Sequence, residues 1–133
     1  MTNKPIVAAL CLVLAGCAAH QYPGAPEDPP VMLGESDGGR TIELGRGKRA
    51  TLRLEANHSA GYRWSLAASG DGKLEQIGEP FYAMEKAVAG GGAEYWPLRA
   101  TQAGKAELRF EYRRPWEKDK PAAKVASYTI NVR

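Results

Sequence analysis

The chain has 133 residues, a quarter of them charged, with a formal net charge of +3. This allows one ordinary globular domain and hardly two, and the near-balanced charge without a Lys/Arg run argues against a nucleic-acid partner. The two cysteines, Cys11 and Cys17, stand so near the N-terminus that no disulfide can staple the remainder, and their spacing holds no zinc motif.

Lys4 precedes an apolar run from Ile6 to Leu14. Nine helical residues rise about 14 Å, far short of the roughly 30 Å of a bilayer core, so the run reads as a secretory leader and not a membrane span. Leu14-Ala15-Gly16-Cys17 follows. It resembles the lipobox of bacterial lipoprotein precursors, which implies a leader over residues 1–16, lipidation of Cys17 and membrane attachment through its acyl chains. Ala18 in place of aspartate favours, by the same resemblance, the outer membrane of a bacterial cell envelope, facing the periplasm or the surface. Residues 17–39 read as a lipid-anchored tether. Pro23, Gly24, Pro26, Pro29, Pro30, Gly34, Gly38 and Gly39 punctuate it, so neither helix nor ladder is expected, and the domain can stand up to roughly 60 Å from the lipid. His20 and Tyr22 read as solvated linker residues.

From Arg40 the hydrophobic period is two. Ile42 and Leu44 begin the pattern. Ala50, Leu52, Leu54 and Ala56 then share one face against Thr51, Arg53 and Glu55. Tyr62, Trp64 and Leu66 alternate with Arg63 and Ser65, and Leu74 with Ile77 suggests a weaker strand. Trp96, Leu98 and Ala100 precede a turn at Gln102-Ala103-Gly104. Ala106, Leu108, Phe110 and Tyr112 follow, and Ala126, Tyr128, Ile130 and Val132 close the set. Pro97 removes a ladder donor, so its strand belongs at an edge or its side chain points outward. No helical stripe with caps occurs. Seven or eight short strands, each with one apolar face, predict an all-β, immunoglobulin-like antiparallel β-sandwich over residues 40–133. The carboxylates along these strands read as solvated faces.

Three connections have unusual composition. In Asn57-His58-Ser59-Ala60-Gly61-Tyr62, Asn57 can bond its downstream backbone and Gly61 can take positive φ, giving a tight loop with small side chains at its tip; taken alone, a plain hairpin turn fits as well. Ala87-Val88-Ala89-Gly90-Gly91-Gly92 ends a connection after Tyr82. Its glycines leave room for another backbone, although a flexible linker has the same composition. A phosphate cradle is excluded there, because no strand-to-helix context and no Lys-Ser/Thr pair follow. Arg113-Arg114-Pro115-Trp116-Glu117 puts a tryptophan outside the alternating pattern, either exposed as a binding anchor or folded back on the domain.

Taken together and in this order, the three connections resemble the motifs of chagasin-type inhibitors of papain-like cysteine peptidases: Asn-Pro-Thr-Thr-Gly-Tyr/Phe, then Gly-x-Gly-Gly with an aromatic four residues on, then Arg-Pro-Trp/Phe. The counterparts are Asn57 to Tyr62, with Trp64 beyond; Ala89 to Gly92, with Trp96 beyond; and Arg114, Pro115 and Trp116. The departures are His58 for proline, Ser59 and Ala60 for the threonines, and Ala89 for the leading glycine. Losing the proline is expected to loosen the first loop and raise its ordering cost on binding.

The resemblance implies a reversible inhibitor whose first loop, Asn57, His58, Ser59, Ala60, Gly61 and Tyr62, lies as a wedge over the catalytic residues of the peptidase. Gly90, Gly91 and Gly92 would grip one cleft wall, and Arg114, Pro115 and Trp116 the other. Gly91→Val is expected to weaken inhibition with little effect on stability. No cofactor or metal is implied, and a monomer is expected. The two histidines, His20 and His58, form no workable catalytic grouping, so an enzyme is not expected. The alternative is a lipid-anchored binding or envelope-assembly module of the same fold that inhibits nothing.

Overall fold

The computed structural model describes residues 27–133 apart from Gly90. The expected leader, Cys17, His20, Tyr22 and the first part of the tether lie outside the described residues. Among the described residues, nine strands pack as two sheets. The first sheet orders β1 (Val31–Leu33), β3 (Arg49–Ala56), β7 (Gly92–Ala100) and β5 (Leu74–Gln76), and β6 (Phe81–Met84) also pairs with β7. The second sheet orders β2 (Thr41–Leu44), β9 (Lys124–Val132), β8 (Gly104–Arg113) and β4 (Arg63–Ser69). The architecture is the expected immunoglobulin-like sandwich.

Period-two patterning decides which residues fill the space between the sheets. Along β3 the buried positions are Ala50, Leu52, Leu54 and Ala56, and along β8 they are Ala106, Leu108, Phe110 and Tyr112. Tyr128 and Ile130 of β9 and Leu98 of β7 complete the most deeply buried set with Leu52, Leu54, Leu108 and Phe110. Phe110 meets Trp96 edge-on at 5.2 Å and Tyr128 at 6.4 Å, which joins the two sheets through aromatic contacts.

Two features depart from the sequence reading, and a third decides between its two alternatives. Val31–Leu33 pairs in parallel with Ala50–Leu52 of β3, and Glu35–Asp37 forms a single 3-10 turn in which the Asp37 carboxylate accepts the Gly34 N–H at 2.8 Å. The segment before residue 40, expected to form neither helix nor ladder, is thus partly folded, because no proline follows Pro30 and the main-chain donors can pair. The outer ladders of β1 and of β2 with β9 are parallel, so the sandwich is not purely antiparallel. Pro97 lies on the central strand β7 and not at an edge; its side chain occupies the outward position between buried Trp96 and Leu98. Its carbonyl accepts Ile77 N–H at 3.0 Å, but it has no proton to return. Pairing with β5 therefore stops at Gln76, and β6 takes over beside Tyr95.

Candidate functional site: three loops at one end of the sandwich

The register brings three connections to one end. Ala56 at the end of β3 faces Gly92 at the start of β7, and Met84 at the end of β6 faces the same glycine. In the other sheet Arg63, starting β4, faces Arg113, ending β8, while Tyr112 faces Lys124 at the start of β9. The β3–β4, β6–β7 and β8–β9 connections therefore emerge side by side. They carry the residues singled out in the sequence: Asn57–Tyr62, the alanine- and glycine-rich run, and Arg114–Trp116.

The first loop is held from within and from below. The Asn57 Oδ1 accepts Ser59 Oγ–H at 2.7 Å and Ala60 N–H at 3.1 Å, so one short side chain folds the turn. Gly61 takes φ +87°, and its N–H donates to His58 O at 3.0 Å. Asn57 N–H donates to the Tyr112 hydroxyl at 2.7 Å, which fixes the loop to β8 across the sandwich. Tyr62 is half-buried and stacks on Tyr112 at 4.9 Å. It supports the loop and does not face outward.

The third loop braces the first. Arg114 Nε donates to Ala60 O at 3.0 Å, and the guanidinium lies 4.7 Å over the Tyr62 ring. Trp116 is 68% exposed, yet its ring lies against Gly61, where any Cβ would overlap its Cη2 atom. Both readings of this tryptophan thus hold in part: it rests on the first loop by one edge and shows the remainder of its ring to solvent. Pro115 beside it is exposed.

The second loop differs from its sequence reading. Gly91 and Gly92 are buried. A Cβ on Gly91 would stand 2.5 Å from Ala56 O and 3.2 Å from Asn57 Cα, and one on Gly92 would collide with Ala83 O. The close backbone approach inferred from these glycines is real, but the backbone is the chain's own, and the two residues let β3, β6 and the first loop crowd together. Gly90 lies outside the described residues. Ahead of it, Glu85 N–H donates to Gly91 O at 3.3 Å and Gly91 N–H to Val88 O at 3.2 Å, closing a compact loop. A groove of about 670 Å³ separates it from the first loop, lined by Ser59, Met84, Glu85, Lys86, Val88, Ala89 and Gly91. Met84 stands 84% exposed at its border.

Several supporting residues escaped the sequence reading. Glu85 is gripped by the Arg53 guanidinium, with Nε at 3.1 Å, and by the Tyr95 hydroxyl, and these partners hold its carboxyl down at about 2. Glu94 is not on a solvated face. It is 6% exposed, and its Oε2 accepts Trp64 N–H from the opposite sheet at 2.8 Å. Burial pushes its carboxyl up from the ordinary value. Stepping back two residues at a time from Trp96 puts Glu94 on the inward parity, which is the signal that could have found it. His58 stacks on Tyr82 of β6 at 3.7 Å with 10° between planes, so the side chain replacing the motif's proline anchors the loop sideways.

The model of the Chagasin family peptidase inhibitor I42 matches residues 43–132. Amoebiasin-1 of Entamoeba histolytica is 27% identical over 101 residues, covering 75% of this chain and 95% of that protein. Among solved structures, the cysteine protease inhibitor EhICP2 of Entamoeba histolytica superposes with a TM-score of 0.67 at 21% identity, over 77% of this chain and 94% of the other. The solution structure of Amebosin superposes with a TM-score of 0.61 at 27% identity, over 80% and 100%.

Proposed function

The chain belongs to the chagasin family of peptidase inhibitors, and from that premise we propose that it reversibly inhibits papain-like cysteine peptidases by seating its three-loop end in their active-site cleft. The observation that carries this reading is the convergence of Ser59, Arg114 and Trp116 on one braced surface, with the Arg114 side chain bonded to the Ala60 carbonyl and the Trp116 ring on Gly61.

The mechanism needs no reacting group on the inhibitor. The Ser59–Ala60 tip enters the cleft over the catalytic residues of the peptidase. It is folded by Asn57 and buttressed from behind, so its peptide groups cannot relax into the geometry of attack. Trp116 offers a large apolar face to one cleft wall. The second loop, with Met84, Val88 and Ala89 along the groove, meets the other. A standard interface buries about 800 Å² on each partner, and three adjacent loops can supply that area. Because the wedge is already ordered, little conformational entropy is lost on binding.

The test is an inhibition assay of the purified protein against papain and a cathepsin-like enzyme. Nanomolar, substrate-competitive inhibition is expected. Absence of inhibition at micromolar concentration would favour a binding module that uses the same loops. The leader-like start and Cys17 support a second part of the reading: the protein is a bacterial lipoprotein held by acyl chains on Cys17 in the cell envelope, most simply at the outer membrane, with the domain carried above the lipid. Wild-type protein is then expected in the membrane fraction, with a mass increment on the Cys17 peptide, and Cys17→Ser in the soluble fraction. An unmodified Cys17 would remove the anchor from the account.

A further inference from the structure

His58 stands where the resembled motif has proline, and its side chain does what no proline could. Stacked on Tyr82, it turns Nε2 away from solvent toward Oε2 of Glu94, 3.6 Å away, and Nε2 has no hydrogen-bond partner. That separation is too long for a hydrogen bond. The titratable and charged groups around the pair come from every neighbouring strand: Tyr82 from β6, Glu94 from β7, Arg63 from β4 and Tyr112 from β8. Arg63 also donates to His58 O at 3.2 Å, and Arg114 of the third loop holds the adjacent Ala60 O.

We infer that His58 and Glu94 form a proton-operated latch: one proton taken up between Nε2 and Oε2 fastens the first loop to β6 and β7, so that the loop is stiffest at mildly acidic pH. The consequence for inhibition rests on the peptidase-inhibitor reading, whereas the latch is a property of the free protein.

With the imidazole neutral, the contact between ring and carboxylate is loose. Proton uptake turns it into a charge-assisted hydrogen bond and places a cation over the Tyr82 ring. Burial and then Arg63 push the imidazole down, while burial pushes the carboxyl up. The opposed shifts move the two groups toward one another, and the facing atoms let one proton be shared by the pair. The Glu94 carboxylate is buried by the sheets and bonded to Trp64 N–H whether or not the loop is docked, so its burial cost is common to both states. Only the burial of His58 and the repulsion from Arg63 oppose protonation of the docked loop. The latch requires that the attraction between opposite charges at 3.6 Å, away from bulk water, exceed them. The docked pair then binds its proton more tightly than an undocked, solvated His58. By linkage, the stabilisation is complete below the midpoint of the undocked imidazole and is lost as pH rises through the midpoint of the docked pair.

The experiment is an NMR pH titration of the purified full chain beside His58→Phe, which keeps a ring on Tyr82, and Glu94→Gln, which keeps an acceptor for Trp64 N–H. In the wild type, the His58 ring signals and the amides of Ser59, Ala60 and Gly61 should titrate with one shared midpoint, above that of a solvated imidazole. Glu94→Gln should lower the His58 midpoint by about one unit, and His58→Phe should abolish the amide titration. Against papain, the inhibition constant of the wild type relative to His58→Phe should fall about tenfold from pH 8 to pH 5.5, the peptidase's own pH dependence cancelling in the ratio. An unchanged His58 midpoint in Glu94→Gln, or loop amides that titrate alike in His58→Phe, would overturn the latch. If the midpoints behave as expected but neither protein inhibits papain, the latch stands and the inhibitory reading falls. Strong inhibition with a pH-independent ratio would keep the inhibitory reading and overturn the claim that the latch governs it.

Discussion

Trp116 and Gly61 show how a single pair of residues settles the shape of the site. The glycine has φ +87° and presents no Cβ, so an indole can lie on the first loop and still keep two-thirds of its surface in water. An exposed ring held in place loses little freedom on binding, which is the property of a hot spot. Trp116→Ala is therefore expected to weaken inhibition of papain by about 2 kcal/mol, roughly thirtyfold, while moving stability by less than about 1 kcal/mol. Inhibition constants and denaturant midpoints measured on the same preparation check both halves. Gly91 has the opposite character. Because a Cβ there would meet Ala56 O at 2.5 Å, Gly91→Val is expected to destabilise the domain by about 1–3 kcal/mol through overpacking. A denaturant midpoint equal to the wild type would contradict this. From sequence the same glycine reads as a binding residue with little weight in stability. Composition reveals that a backbone comes close, but not whose backbone it is. Asn57 and Gly61 were legible because their roles are local, a side chain reaching two or three residues onward and a positive φ. Glu94 and His58 were not, because their partners, Trp64 and Tyr82, arrive from other strands.

Among the elements, long strands with a clean alternation could be read directly. β3, β8 and β9 lie where their apolar periods place them, since a one-residue slip would turn every leucine outward. Two of the short strands could not be read. Val31–Leu33 is three residues beside prolines, and Phe81–Met84 alternates weakly; each is a strand only because a neighbour offers free main-chain groups. β6 matters to function because it carries Tyr82 under His58 and leads into Glu85. The Arg53, Glu85 and Tyr95 cluster ties the start of the second loop to β3 and β7. The Glu85 carboxyl is held at about 2, below its ordinary value of 4.5, so the unfolded state binds the proton more readily. The cluster's contribution is present in full above 4.5 and is lost as pH falls toward 2. Amide exchange at Glu85 and Val88 is expected to stay flat from neutral pH to about 5 and to rise below it, after correction for intrinsic rates. Glu85→Gln should remove that acid-dependent part. A rise of equal size in the variant would show that the cluster does not carry it.

At the scale of the whole molecule, the sandwich does one thing for the site: it fixes the distance between loops that belong to different sheets. The first loop crosses from β3 to β4, the second stays in one sheet between β6 and β7, and the third joins β8 to β9 in the other. Tyr112 and Glu94 span the gap just beneath, each accepting a main-chain N–H across it, so the two sheets cannot shear without breaking the support of the first loop. The turns at the far end, around residues 45–48, 70–73 and 101–103, are also joined, Thr101 donating through its N–H to Lys73 O and through its hydroxyl to Gly72 O at 2.9 Å, but they carry no motif. In the proposed mechanism the braced end, and only that end, enters a peptidase cleft. Hydrogen–deuterium exchange of the protein with and without catalytically inactivated papain tests it most directly. Protection is expected over residues 57–62, 84–91 and 113–117, with the opposite turns unchanged. Protection centred on the opposite turns, or on an outer sheet face, would contradict it.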